Sequence, residues 1–464
     1  MNPLNSKLSD SLFPQNTRKI LIIATILGWL LCLMLVRYSY TASLKIVFLY
    51  AISACIMSLV VLYKNSLNKY ESAFFIFLVM QLLAVVPSVG NLEELSAVSY
   101  LLSYRYGISS RGFSGIIVDF LTKGGFISQS FIWHFIFVKT VFLSFVISVF
   151  LGTLIYRTND NIKYFLIALS LLWLTCFTTP TAYFYKLNFG RNEVLPLILL
   201  FPVMLVIKKP IVRWLIPLLA LVIIASHLIL VFFYIPFVVI LLLYSVAEKG
   251  RVDKQSLLLL GVTVALLVIA FISYILFARE TFVFETPSAF IEALQLKTDL
   301  TLEEWSVHYS LFASLGDHLA GWRGRVLSGG FFRGILSILT NIPLLSLFIA
   351  LWIKCFVHEP DKIKKLFFIV PILVLPFHSA VFFMFFDFGR WMIMVLNVQF
   401  LLLFYLIKER NKTVLSIVQM LTPFIRRNAF LIALLMLTMI FLGPFDHLQP
   451  SERVMRFYYF LVGR

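Results

Sequence analysis

The sequence predicts an all-α fold: a polytopic integral membrane protein with about 11–13 transmembrane helices and two longer external loops. Of its 464 residues, 61% are hydrophobic and 13% are charged, whereas a soluble domain is roughly half apolar and a quarter charged. The mean hydropathy is correspondingly high, at +0.96. The basic residues, which give a net charge of +17, lie in short clusters between apolar runs, as in the cytoplasmic loops of membrane proteins. We therefore expect a single helical membrane domain over residues 1–464.

The individual helices are predicted from the lengths of the apolar runs, because a crossing needs roughly 20 apolar residues. Runs near this length lie at 20–36, 46–63, 72–89, 131–156, 164–179, 193–207, 256–277, 334–353, 366–386, 391–407 and 429–442. A further run at 214–247 contains no formally charged residue. It is too long for one crossing and short for two.

The positive-inside rule decides how this long run is folded, because cytoplasmic connections carry an excess of Lys and Arg. With the N-terminus in the cytoplasm, a single crossing would place the basic clusters at 249–254 and 354–365 outside. Two crossings, with a turn near Ser226 and His227, place both clusters inside, together with those at 408–412 and 426–427. We therefore predict about thirteen crossings, with the N-terminus cytoplasmic and the C-terminus outside.

This topology leaves two long segments outside, approximately 90–130 and 279–333. The first contains YRYGISSRGFSG, in which Arg105 and Arg111 lie among glycines and serines. Glycine lets a backbone approach a ligand closely, and arginine suits bidentate contacts with phosphate. The segment therefore predicts a loop that binds a lipid-linked pyrophosphate. A structural turn whose arginines contact lipid head groups is the alternative.

Two further candidates lie at the predicted outer ends of helices. Arg191 and Glu193 are expected where a helix begins, so that free backbone N–H groups and the arginine could hold an anion. Glu193 could equally be a first-turn carboxylate that the helix dipole stabilises. His227 lies at the turn of the long run, where it is a candidate for acid–base catalysis or a hydrogen-bonded packing residue.

The second external segment and the turn near 387–390 supply the remaining candidates. His318, Arg323 and Arg325 lie among glycines and aromatic residues, where the histidine could transfer a proton and the arginines could hold phosphate or an acidic sugar. Asp387 and Arg390 lie in a tight external turn between two apolar runs. They could neutralise each other, or one of them could pair with a substrate, and apolar surroundings make Asp387 a candidate catalytic carboxylate.

Over its whole length the chain resembles the Phe-rich polytopic polymerases of bacterial surface polysaccharides, of the O-antigen and capsule type. More distantly it resembles the C-type-fold glycosyltransferases that use polyprenyl-linked sugars. The resemblance rests on the number of apolar runs, the long external segment in the C-terminal half and the external Arg, His and Asp residues. It implies an enzyme of the bacterial inner membrane in which Arg111, Arg323 and Arg325 grip a lipid pyrophosphate. His318 or Asp387 would then activate an acceptor hydroxyl.

We therefore expect a glycosyl-transferring enzyme that joins polyprenyl-pyrophosphate-linked saccharides at the outer face, without a nucleotide sugar, cofactor or metal. The expected partners are that lipid-linked saccharide, membrane lipid and other polysaccharide-assembly proteins, but not nucleic acid. Two other classes stay open. A flippase or transporter would line a central path with charges, and Lys139, His134 and His227 are ionisable residues well inside the runs. A membrane acyltransferase would need an intramembrane histidine, for which His227 or His378 is available.

Overall fold

A computed structural model of the chain is mostly helical in the residues that it describes, and no strand occurs among them. It describes residues 92, 94–109, 111–175, 190–193, 195–249, 254–277, 281–308, 330–375, 378 and 388–428, and isolated positions between 311 and 324. Numbered along this part of the chain, the helices are α1 (Glu94–Leu101), α2 (Phe113–Leu121), α3 (Gln129–Arg157), α4 (Asp160–Thr175), α5 (Leu197–Val206), α6 (Pro210–Arg213), α7 (Leu215–Ser226), α8 (Val231–Lys249), α9 (Lys254–Phe277), α10 (Pro287–Gln295), α11 (Glu304–Val307), α12 (Gly330–His358), α13 (Lys362–Phe367), α14 (Phe388–Lys408) and α15 (Lys412–Arg427).

Four of these helices, α3, α9, α12 and α14, are long and apolar enough to cross a membrane. They confirm helices at the predicted runs 131–156, 256–277, 334–353 and 391–407. Helices α4, α5, α7 and α8 also follow predicted apolar runs and are shorter. The runs at 20–36, 46–63, 72–89 and 429–442 lie outside the described residues, as does much of 366–386.

The long uncharged run is divided where the charge pattern predicts. Helix α7 ends at Ser226, and His227 adopts an extended backbone before a 3-10 turn leads into α8. The Arg213 side chain donates to the carbonyl of Ile207, which places the start of α7 at the end of α5. An ion pair of 3.4 Å between Lys208 and Glu248 places the end of α8 there as well. Helices α7 and α8 are therefore antiparallel, with their turn at the opposite end.

The predicted cytoplasmic clusters that lie within the described residues meet at one end of the helical bundle, which we call the basic end. Lys208, after α5, lies 2.7 Å from Glu409, after α14. Arg410 donates to the carbonyl of Arg157 at the end of α3, and a hydrogen bond joins the α12–α13 connection to the start of α15. The same end therefore holds the remaining described basic residues of these connections: Lys209, Arg213, Lys249, Lys354, Lys362, Lys364, Lys365, Lys408 and Lys412.

The two predicted external segments pack together at the other end, into a unit that we call the loop subdomain (residues 94–128 and 281–307). Backbone hydrogen bonds join them, from Val283 N to Tyr106 O at 3.0 Å and from Ile127 N to Lys297 O at 2.7 Å. Helices α1, α2, α10 and α11 and the first turns of α3 share a small hydrophobic core. A larger core joins α3–α5 and α7–α9 with α12–α15. Gly107, at φ +125°, permits the docking, since a Cβ there would lie 2.7 Å from the backbone of Phe282.

Candidate functional site

A layer of polar and charged side chains separates the two hydrophobic cores. Helix α3 passes through both, with side chains up to Phe137 in the small core and from Leu143 onward in the large one. Lys139 projects from α3 between them. We call the following residues the polar layer: Tyr100, Lys139, Arg191, Asn192, Glu193 and Arg390.

Glu193 and Arg390 form the ion pair of this layer. The Arg390 Nη1 atom lies 3.3 Å from the Glu193 Oε1 atom, and the side chains are only 5% and 1% exposed. The guanidinium also lies 4.1 Å from the ring centroid of Trp391, a cation–π contact. Arg390 is in the first turn of α14, so the pair joins this helix to the turn that precedes α5. Glu193 is thus one partner of Arg390, and Asp387, the other residue of the predicted turn, lies outside the described residues.

Lys139 contributes a second cation, which is held by neutral groups. Its ammonium donates to the hydroxyl of Tyr100, to the carbonyl of Gly190 at 3.4 Å and to the Asn192 Oδ1 atom at 3.3 Å. The Tyr100 hydroxyl in turn donates to the Gly190 carbonyl. Burial, and then the negative charge of Glu193, raises the pKa of Tyr100 well above its usual value. Within the described part of the chain, the Lys139 ammonium has no carboxylate within ion-pair distance.

Asn192 connects the layer to the loop subdomain. Its Oδ1 atom accepts from the Ser114 hydroxyl at 2.7 Å, and its Nδ2 atom donates to the Ser99 hydroxyl at 3.1 Å. The two serines lie on α2 and α1, which approach closely because Gly115 has no side chain. A Cβ there would lie 1.6 Å from the carbonyl oxygen of Leu102. The turn at 190–193 is therefore fixed from the side of the loop subdomain.

A chain of hydrogen bonds connects the layer to the large core. The Tyr234 hydroxyl donates to the backbone carbonyl of Glu193 at 3.1 Å and accepts from Asn397 Nδ2 at 3.2 Å. The Asn397 Oδ1 atom accepts from the Trp173 indole at 3.1 Å. All these groups are buried, and unpaired polar groups at such depth would be costly. This chain joins α4, α8 and α14 to the charged turn.

The structure brings together three of the predicted site residues: Arg191, Glu193 and Arg390 are all buried in the polar layer. Helix α5 begins at Leu197, later than predicted, because the chain first turns at Asn192 and Pro196 occupies the N-cap. Arg191 and Glu193 therefore lie in the turn before the helix, not in its first turn.

The other described candidates lie elsewhere. Arg105 pairs with Asp119 at 2.8 Å in the loop subdomain, and Arg111 is half-buried in the turn before α2, one helical turn from Ser114. The His227 Nδ1 atom accepts from the backbone N–H of Ile229 at the α7–α8 turn. Arg323 is exposed. Asp387, His318 and Arg325 lie outside the described residues.

Several members of the site are not among the predicted site residues. Tyr100, Asn192, Tyr234 and Asn397 are neutral, and their roles depend on contacts between distant segments. Asn397 had a usable signal, because an amide within an apolar run must find a hydrogen-bond partner. The sequence signal for Lys139 was stronger, because an ionisable residue within an apolar run is a candidate functional residue by default.

No family model matches the chain, and no curated protein or solved structure is significantly similar to it. Among the described residues, no three His, Cys, Asp or Glu side chains converge to form a metal site. The chemistry of the polar layer must therefore be argued from its own charges. Its described residues combine three basic side chains with one carboxylate, which is a composition suited to binding an anion.

Proposed function

We propose that the protein is a polytopic membrane enzyme that transfers glycosyl groups between polyprenyl-pyrophosphate-linked saccharides at the outer face of the bacterial inner membrane. The observation that carries this proposal is the polar layer, which holds Lys139, Arg191 and Arg390 against a single carboxylate. A pyrophosphate that leaves from an anomeric carbon develops negative charge, which buried cations stabilise strongly. The loop subdomain lies over this layer and would cover the saccharides.

The membrane assignment is supported by the outward faces of the long helices. Val138, Phe142 and Phe145 are exposed at helical spacing on α3, and α9 carries a similar exposed apolar stripe. An apolar surface of this extent would be a liability in water. The orientation is supported by the basic end, which the positive-inside rule assigns to the cytoplasm. The polar layer and the loop subdomain then face the outside.

In the reaction that we propose, the acceptor hydroxyl oxygen attacks the anomeric carbon of the donor saccharide. The bond between this carbon and the phosphate oxygen breaks, and polyprenyl pyrophosphate leaves with the electron pair. The hydroxyl proton passes to a carboxylate or histidine acting as base. Asp387 is the candidate base because it precedes Arg390 by three residues, and His318 is the alternative. Glu193 holds Arg390 in position for the leaving phosphate.

The test uses full-length protein in proteoliposomes with a radiolabelled polyprenyl-pyrophosphate oligosaccharide. We expect elongated products from the wild type and from the Lys362→Ala control, because this lysine lies at the basic end. Lys139→Met and Arg191→Ala, which each remove a basic side chain of the polar layer, should insert normally and yield no elongated product. Normal elongation by both variants would contradict the assigned roles, and a wild type that never elongates the substrate would contradict the enzyme.

Transport of the same lipid-linked saccharides is a second candidate function, favoured by a specific observation. Lys139 and the Glu193–Arg390 pair are buried ionisable groups among apolar helices, and such residues often line substrate paths. The same proteoliposomes separate the two functions, because a flippase would move the labelled substrate across the bilayer without lengthening it.

A membrane acyltransferase would instead return an acylated product in this assay. Its candidate residue would be His378, which is buried beside Phe233.

A further inference from the structure

Helix α15 lies across the basic end instead of crossing the bundle. At its start, Thr413 is hydrogen-bonded to Glu359, in the α12–α13 connection. At its end, the Arg426 guanidinium lies 5.5 Å from the ring centroid of Tyr164, in the second turn of α4. Helix α4 itself starts at the basic end, directly after Arg157. Both ends of α15 are therefore at the level where the connections between the long helices lie.

The side chains of α15 divide into three faces. Val414, Ile417 and Val418 are at most 1% exposed and pack on the large core. Met420 and Phe424, four residues apart, are apolar but 56% and 63% exposed. The remaining surface is polar, with exposed Lys412, Ser416, Gln419, Arg426 and Arg427. The helix thus presents an uncovered apolar edge beside a cationic face.

The charge of this segment is of one sign. Residues 410–428 contain four basic side chains and no acidic one. Two exposed tyrosines, Tyr156 at the end of α3 and Tyr164 near the start of α4, lie at the same level. Tyrosine is enriched where hydrocarbon meets the head groups. A helix with an apolar edge, a basic face and neighbouring tyrosines has the composition of an in-plane interfacial helix.

We propose that α15 is a binding surface for anionic phospholipid in the cytoplasmic leaflet. Met420 and Phe424 enter the acyl-chain region, while Arg426 and Arg427 contact the anionic head groups. Charge complementarity selects this occupant, because the cytoplasmic leaflet carries a negative surface potential that attracts basic segments. The proposal rests on the membrane assignment but not on glycosyl transfer, so the outcomes of the elongation assay leave it unaffected.

The test places an environment-sensitive NBD fluorophore on a single introduced cysteine in full-length protein that lacks its native cysteines. The protein is reconstituted in nanodiscs, so that aqueous reagents reach both faces. Phe424→Cys is compared with Gln419→Cys, which projects about 140° away around the same helix. Quenching is measured with lipids that carry an acyl-chain nitroxide and, separately, with aqueous iodide.

We expect the label at 424 to be quenched by the nitroxide lipids and protected from iodide, and the label at 419 to show the reverse. If iodide quenches both labels equally, α15 is in water and the proposal is wrong. If neither reagent quenches the label at 424, protein covers this edge and the proposal is also wrong.

The anionic preference is tested at the same label. Nitroxide phosphatidylglycerol should quench the label at 424 more strongly than nitroxide phosphatidylcholine at equal content. Arg426→Gln and Arg427→Gln should each reduce the local preference by about five-fold. An equal response to the two lipids in the native background, or an unchanged preference in the double variant, would refute charge recognition.

Discussion

The buried ion pair between Glu193 and Arg390 gives the sharpest prediction about the polar layer. At 3.3 Å, an effective dielectric constant of 20 gives an attraction of about 5 kcal/mol. Removing one partner of such a pair typically costs about 3–5 kcal/mol, because the other charge stays buried. Replacing both with neutral residues of similar size removes that penalty. We therefore expect a coupling free energy of at least roughly 2 kcal/mol in a double-mutant cycle of Glu193→Gln and Arg390→Met.

The two single variants should differ in a direction that the structure fixes. Glu193→Gln leaves the buried Arg390 guanidinium without the carboxylate that it contacts. Arg390→Met leaves the Glu193 carboxylate with a second favourable electrostatic interaction, the one with Lys139. Glu193→Gln should therefore lower the free energy of unfolding more than Arg390→Met does. The double variant should recover much of the stability but none of the elongation activity.

The assay is unfolding of the purified protein in mixed micelles by dodecyl sulfate, followed by tryptophan fluorescence. The matched control is Lys208→Met, which breaks a shorter contact of 2.7 Å to Glu409 at the basic end. The Lys208 side chain is 58% exposed, and Lys408 remains beside the same carboxylate. We expect this variant to lose less than about 1 kcal/mol. A Glu193–Arg390 coupling no larger than the control effect would refute the argument that burial sets the strength of the pair.

Three further predictions concern the packing around the layer. Gly115→Ala should separate α1 from α2 and expose the loop subdomain to limited proteolysis. The control is Gly261→Ala, which should leave the digestion pattern unchanged because the space around Gly261 is open. Equal digestion patterns for the two variants would contradict the close approach of α1 and α2. Asn397→Leu removes the acceptor of the Trp173 indole and should lower the free energy of unfolding by about 1–3 kcal/mol. An unchanged unfolding midpoint in the dodecyl sulfate titration would contradict the hydrogen-bond chain. Lys139→Met removes a buried amine that is hydrogen-bonded only to neutral groups, so the free energy of unfolding should stay the same or rise by about 1 kcal/mol. Elongation should be lost. Retained elongation would show that the reaction does not need this side chain.

The helical architecture was largely predictable because hydrophobicity and charge act locally along the chain. The break at His227 is the exception, since the positions of distant basic clusters, and not the local hydrophobicity, required it. The structure confirms this break and places those clusters together. The start of α5 was predicted too early, because the apolar run already begins within the turn before the helix. That turn ends at Pro196, the N-cap of α5.

The site was only partly predictable, because its contacts join segments that are far apart in the sequence. Asp387 and Arg390 are three residues apart, and the sequence left open whether they neutralise each other or one of them pairs with a substrate. The observed contact to Glu193 depends on how α14 packs beside the turn before α5, which no local pattern encodes. Asn192 was not predicted as a site residue, although its neighbours Arg191 and Glu193 were, because its role also depends on contacts with distant segments.

The orientation of the bundle also determines which donors could reach the polar layer. Nucleotide sugars are water-soluble anions made in the cytoplasm, and the basic end separates them from the layer if the positive-inside rule holds. A donor on the other side must be carried there, and a polyprenyl pyrophosphate supplies both the membrane anchor and the anionic leaving group. The cations of the layer suit either kind of donor chemically, since each presents a pyrophosphate. In the function that we propose, the side of the membrane, rather than the chemistry of the arginines, would therefore select the lipid-linked donor, and a layer that faced the cytoplasm would favour a nucleotide-sugar enzyme instead.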